Sequence, residues 1–373
     1  MKIIIYVHCL TYGGAERMAT HLANHFSDNG FDVTIVTNSE VDYVSYPLRQ
    51  EVGHVVMNVG GNSENGLAAL LNNFSRVRAF RKEVKQHKPD YVISMAATVN
   101  VTSALGCIGM NVINVGREQN YPVTDRLRTK KWIALRKLSY RWLDAIVAQT
   151  EMTAEWLLSN TSVRNVSVVP GAVVLPLDKH EPIVKPYIGN GKKQLLAVGR
   201  LAPEKQFDHL IRAFSRACES CPDWQLVILG DGESREELER LIVELEVQDS
   251  VFLPGFVGNV GDWYEVSELV ALTSAFEGYP NAVIEALAHG VPVVSYDCDA
   301  GPREIIEDNV NGILVKPDSE EDFQKGLELM MVDDEKRKAA STSAVRIVER
   351  LDIKIVCDLW LDVLREARAR ADN

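Results

Sequence analysis

The sequence predicts an α/β protein of two doubly wound domains, each a parallel sheet flanked by helices. Short apolar runs alternate with amphipathic segments along the whole chain, the pattern of repeated strand–helix–strand units. Near the middle, "VVLPLDKHEPIVKPYIGNGKK" interrupts that pattern with three prolines and no helical period, so it reads as a linker. A length of 373 residues also suffices for two domains of about 150 residues each.

Taken in order, the first domain's strands are expected at 3–8, 33–37, 55–58, 91–94, 111–115, 145–149 and 166–169. Those of the second fall at 195–198, 225–229, 251–253, 269–272, 291–295 and 312–315. Most are nearly continuous Val/Ile/Leu runs, as strands covered on both faces must be. In the tail, Ile355, Leu359, Val363 and Leu364 mark the apolar side of an amphipathic helix. The expected domains are 1–172, a linker at 173–192, 193–351, and a terminal helix at 352–373. Two such domains facing each other would bind a ligand in the cleft between them, at the carboxyl ends of their strands.

Composition narrows the class. Apolar residues make up 46% and charged residues 25%, ordinary for a globular protein with full cores. No uncharged apolar stretch reaches the length of a membrane-spanning helix. The first residues, "MKIIIYV", are too short for a signal peptide and read as a buried strand. Six scattered cysteines without an export signal point to a reducing cytosol. Cys218 and Cys221 form one CxxC, but no second Cys/His pair follows at zinc spacing.

The net charge of −12 argues against a nucleic-acid partner. Its distribution is uneven. Residues 76–88 carry six Lys/Arg and one Glu, and 126–141 carry seven Lys/Arg and no acid.

Three strand-end stretches carry chemistry. In "TYGGAER", Gly13 and Gly14 allow backbone N–H groups to approach a phosphate at a helix start. The same glycines also suit a plain tight turn, and Ala15, Glu16 and Arg17 break a dinucleotide fingerprint. In "GRLAPEKQFDHLIRAF", Arg200 and Lys205 leave one strand end and could neutralise a diphosphate. The bland alternative is a surface ion pair of Lys205 with Glu204 or Asp208. In "FEGYPNAVIEALAHGVPVV", Glu277 precedes a turn and Glu285 lies about a turn inside a buried helix over 281–288. Carboxylates there could accept hydrogen bonds from vicinal hydroxyls of a sugar and a ribose. A buried Glu–Arg pair holding loops is the alternative.

These stretches, with the continuation "SYDCDAGPREIIEDNVNGILVKPDS", resemble the retaining GT-B glycosyltransferases of family 4, particularly bacterial capsule, O-antigen and exopolysaccharide members. The resemblance covers nearly the whole chain. It implies a nucleotide-sugar donor held by the second domain, with a UDP-sugar expected and no metal or other cofactor. Arg200 and Lys205 would hold the diphosphate, helped by Gly13 and Gly14, and Glu285 the ribose. Glu277 would contact the transferred sugar, and the Asn281 and Ala282 amides the sugar or phosphate. Arg200, Lys205 and Glu277 are thus the expected catalytic groups. The final helix would cross back onto the first domain.

Where many relatives carry a histidine after the 111–115 strand, this chain has "VGREQNYP". Arg117 and Glu118 are therefore candidates for acceptor contact. The acceptor is expected to be polyprenyl-diphosphate-linked or a glycan. An Asp297–Asp299 metal site would belong to a different, single-domain transferase fold.

A nucleotide-sugar 2-epimerase of the same fold and a non-catalytic sugar-nucleotide binder are the rival functions. The basic segments predict contact of the first domain with an anionic membrane, on the inner face of the cell membrane. Leu70, Phe74, Val77 and Val84 would form an apolar stripe flanked by Arg78, Arg81, Lys82 and Lys85. In the second segment Trp132, Leu135, Leu138 and Trp142 interleave with cations.

Overall fold

Seven parallel strands form the first sheet: β1 (Lys2–Val7), β2 (Asp32–Thr37), β3 (Gly53–Val56), β4 (Tyr91–Met95), β5 (Ile113–Arg117), β6 (Ala145–Ala148) and β7 (Val166–Val168). The computed structural model describes residues 1–11, 13–38, 46–59, 66–123, 130–189 and 191–372, leaving aside the side chains of 66–70, 130 and 131. The strand order is β3-β2-β1-β4-β5-β6-β7, so the winding direction reverses between β1 and β4. Ile3, Ile4, Ile5 and Tyr6 are all buried because helices cover both faces.

The second sheet has six parallel strands: β8 (Lys193–Val198), β9 (Trp224–Leu229), β10 (Val251–Gly255), β11 (Leu269–Leu272), β12 (Val293–Tyr296) and β13 (Gly312–Val315). Its order is β10-β9-β8-β11-β12-β13, and the reversal falls between β8 and β11. The α/β class with two doubly wound parallel sheets is what the sequence predicts.

The chain divides into two compact units, Met1–Ala172 with Ile353–Asn373, and Val173–Asp352. The segment expected to be a linker counts with the second unit. His180 N–H donates to Gly258 O at 3.0 Å, and Val184 exchanges hydrogen bonds with the Asn259 side chain. A stretch without helical or strand period still has to pair its backbone groups, and here a neighbouring loop supplies the partners.

The terminal helix, Ile353–Ala371, packs in the first unit's core. Of its expected apolar side, Val363 and Leu364 are buried while Ile355 and Leu359 are largely exposed. Val356, Cys357, Trp360 and Ala367 are buried as well. Trp360, with no exposure at all, sets the angle: the row 356, 360, 363, 367 buries the largest ring.

The expected membrane stripe changes too. On the helix Gly66–His87, Phe80 and Val84 face the core, and Phe80 stacks on Tyr6 with ring centroids 4.3 Å apart. Phe74 instead is 66% exposed, as is Leu71 at 61%. The Leu70 side chain, and residues 126–131 of the second basic segment but for their backbone at 130–131, lie outside the described residues.

Candidate active site

β8 and β11 are neighbours across the reversal point of the second sheet, where loops diverge and leave room for a ligand. The turn after β8 and the loop after β11 bring two expected site residues together there. Lys205 Nζ donates to Glu277 Oε1 at 2.6 Å, across 72 residues of sequence. Lys205 closes the short 3-10 turn Pro203–Lys205, and Gln206 follows in the left-handed region before the helix Phe207–Ser220. The alternative pairing of Lys205 with Glu204 or Asp208 is not the one found.

Backbone contacts fix this meeting. Thr273 Oγ1 donates to Lys205 O at 2.8 Å, and Ala275 N–H donates to Glu204 O at 2.9 Å. A third loop, after β12, joins the loop after β11 through a bridge between Phe276 and Asp299. Gly301 completes it: its φ is +93°, and a Cβ there would come within 2.8 Å of Gly278 O and of the Pro280 ring.

Ser274 was not singled out by the sequence, yet its Oγ donates to the same Glu277 Oε1 at 2.7 Å. Its signal was faint, a small polar residue at a strand end three positions before the carboxylate.

Pro280 caps the helix Asn281–Ala288, so the Asn281 and Ala282 N–H groups are among those left without an intrahelical partner. Glu285 sits inside that helix and is 6% exposed. Tyr264, wholly buried, donates its hydroxyl to Glu285 Oε2 at 3.3 Å and to Ala282 O at 3.2 Å. No sequence signal marked Tyr264. Arg200 is exposed and donates to the carboxylate of Glu204, the residue before Lys205. Asp297, of the Asp-Cys-Asp stretch, accepts both Nε and Nη2 of Arg303 at 2.9 Å.

In the first unit, Gly13 is extended and caps the helix Gly14–Asp28. The Glu16 carboxylate lies directly over Gly13, where an anion was expected, and burial raises its pKa. The helix start already has a carboxylate facing it.

Arg117 and Glu118, expected to meet the acceptor, lie in a buried network. Both are 1% exposed, because β5 runs on to Arg117 and turns their side chains inward. Arg117 Nη2 donates to Gln149 Oε1 at 2.8 Å. Glu118 Oε1 lies 3.1 Å from Arg136 Nε in an ion pair and accepts the Tyr140 hydroxyl. Burial, then the Glu118 charge, holds the Tyr140 phenol protonated far above its usual range. Asn100 ties the strand end down by donating to Arg117 O at 2.9 Å. This buried network shapes the strand end.

The CxxC thiols are also inert. Burial pushes Cys218 up to about 11 and raises Cys221 as well, so neither is a thiolate near neutral pH.

Comparison with known proteins fits this geometry. The family described as "Glycosyl transferases group 1" matches residues 178–346, and "Glycosyltransferase Family 4" matches 12–175. An uncharacterized glycosyltransferase of Methanocaldococcus jannaschii is 30% identical over 78% of this chain and 79% of its own length. The N-acetylgalactosamine-N,N'-diacetylbacillosaminyl-diphospho-undecaprenol 4-alpha-N-acetylgalactosaminyltransferase of Campylobacter jejuni is 29% identical over 96% of this chain and 98% of its own. The Anabaena HepE structure in complex with UDP superposes with a TM-score of 0.79 at 18% identity, over 98% of this chain and all of that one.

Proposed function

From the premise that the chain belongs to the group 1 glycosyltransferases, we propose that it moves a hexose or N-acetylhexosamine from a UDP-sugar to a lipid-linked or oligosaccharide acceptor. The observation that carries this reading is the Lys205–Glu277 contact at the strand ends flanking the sheet reversal. A cation and a carboxylate there suit the two halves of a nucleotide-sugar. The diphosphate competes for Lys205, and Glu277, released from it and still oriented by Ser274, accepts hydroxyls of the sugar. Arg200, exchanging Glu204 for phosphate oxygens, adds a second cation. Glu285, anchored by Tyr264, accepts the ribose hydroxyls, and the Asn281 and Ala282 amides face the sugar or phosphate.

Charge that builds on the departing diphosphate is met by groups already in place, without solvent reorganisation. The departing phosphate takes the acceptor's proton on the same face, which would retain configuration without a carboxylate nucleophile. Arg303 already engages both Asp297 oxygens, which supports a mechanism independent of a divalent metal. The likeness to a transferase named for a diphospho-undecaprenol acceptor supports a lipid-linked acceptor, reached from the inner membrane face. No helix among the described residues is long and apolar enough to cross a membrane. Exposed Leu71 and Phe74, beside exposed Arg78, Lys82 and Lys85, offer a contact surface for anionic lipid.

Incubation with labelled UDP-sugars and a lipid-linked acceptor extract, with and without EDTA, tests this. Transfer in both conditions supports the reading. A 2-epimer without transfer would make the protein an epimerase, tight binding with neither a sensor, and activity restored only by Mn or Mg would overturn metal independence.

A further inference from the structure

A cavity of about 530 Å³ lies in the first unit, and none of the residues proposed for the donor site lines it. Its wall includes Arg141, Trp142, Asp144, Arg164, Asn165 and Arg370. The first three lead into β6 and the next two into β7, so the cavity opens at the amino ends of these strands. Gly13 and Glu118 lie at the carboxyl ends of parallel strands in the same sheet. The two edges are about 13 Å apart by the length of a four-residue strand. The terminal helix supplies Arg370.

We propose that this cavity is a second, phosphate-binding site, independent of the sugar-nucleotide reading. Three arginines from three separate elements line one concave space, and a guanidinium's planar fork matches phosphate oxygens. Arg141 lies 5.8 Å from the centre of the Trp142 ring, which steadies its charge at the wall. The acids present are already engaged. Asp144 Oδ2 accepts the Asn114 N–H at 2.7 Å, and Glu366 accepts Arg370 Nη2 at 3.2 Å on the exposed helix side. A phosphate entering the cavity has to share Arg370 with Glu366, and Arg141, Arg164 and Arg370 are all exposed to solvent. The volume suits a small phosphorylated molecule or a phospholipid headgroup.

The test titrates inorganic pyrophosphate by calorimetry into full-length R200A/K205A protein, in which the proposed donor site is disabled. One site should remain. Adding R164S/R370S should weaken it by about tenfold for each guanidinium lost, whereas R164K/R370K should keep most of it. Flotation with phosphatidylglycerol and phosphatidylcholine vesicles separates the sources. Flotation on phosphatidylglycerol that pyrophosphate competes away and R164S/R370S abolishes assigns the cavity to lipid headgroups. Pyrophosphate binding that R164S/R370S weakens, without such flotation, assigns it to a free phosphate compound. No pyrophosphate binding in the R200A/K205A protein, or binding that R164S/R370S leaves unchanged, overturns the proposal.

Discussion

Lys205 has a carboxylate partner before any donor arrives, and this shapes what its loss should do. In K205A the ground state loses a cation on the diphosphate but also a contact the donor would have had to break. The transition state, where charge on the leaving group is greater, has no such offset. Turnover should therefore fall by about 10²-fold or more while donor affinity falls less; kcat against the Kd from calorimetry reads the split, and equal losses would mean plain anchoring. Glu285 is different: it is buried, and its hydrogen bond from Tyr264 is long, so the ribose proposed for it would add charge-assisted bonds. E285Q should weaken donor binding by about 1.5–3 kcal/mol at most, as charge-assisted bonds become neutral; unchanged affinity would refute the ribose assignment. His21 gives a pH-dependent readout. Burial, and next the Arg17 charge, push its imidazole down to about 4. Above pH 6.5 it is neutral folded or unfolded and contributes nothing to the pH dependence. Between 6.5 and 4 only the unfolded chain takes up its proton, so stability falls, by about 2 kcal/mol at pH 5 and about 3 kcal/mol at pH 4. Urea unfolding at pH 7, 6 and 5 should show this slope, flattened in H21Q.

At the scale of elements, the buried network at the end of β5 makes a stability prediction. R136M would leave the Glu118 carboxylate 1% exposed without its ion-pair partner, at a cost of about 3–5 kcal/mol. E118Q/R136M should recover part of it in the same urea titration; no recovery would show that the carboxylate's charge is not the cause. This network also shows where sequence reading stops. The strands were legible because each is a run of apolar residues covered on both faces, and such runs have few other fates. Glu277, Glu285, Arg200 and Lys205 were legible because charges at strand ends and in a buried helix stand out. Arg136 did not stand out: among seven basic neighbours nothing marks the one that turns inward, since its partner lies 18 positions earlier on another element. Tyr264 and Ser274 were silent for the same reason, their roles being set by residues distant in fold or by a loop's exact path. In the terminal helix Val363 and Leu364 were legible, but Ile355 and Leu359 satisfy helical spacing as well as Val356 and Trp360 do, and only packing chooses between them.

Across the whole molecule, a chain of net charge −12 should avoid anionic lipid unless its cations are gathered and free to face it. The structure sorts those cations. Arg136 is spent on Glu118, and Arg81 Nη1 donates to Gly106 O at 2.7 Å and Ile108 O at 2.8 Å, capping the end of the helix Ala97–Gly106. Arg78, Lys82 and Lys85 stay exposed on the helix that also exposes Leu71 and Phe74. Each such cation near an anionic surface contributes roughly 1 kcal/mol, and an inserted aromatic ring adds to it, so reversible association is the expected regime. Flotation with vesicles should then rise with anionic lipid content and fall with salt. R78S/K82S/K85S should lose flotation without losing stability. R81S should do the opposite, lowering the urea midpoint by releasing two helix-end carbonyls while flotation largely persists. The contrast between two arginines three residues apart is the sharp part of the prediction. If R81S detaches the protein as fully as the triple variant, the helix's charge as a whole matters rather than its exposed face. If flotation is absent at every lipid composition, the face is ordinary surface and the acceptor is reached some other way.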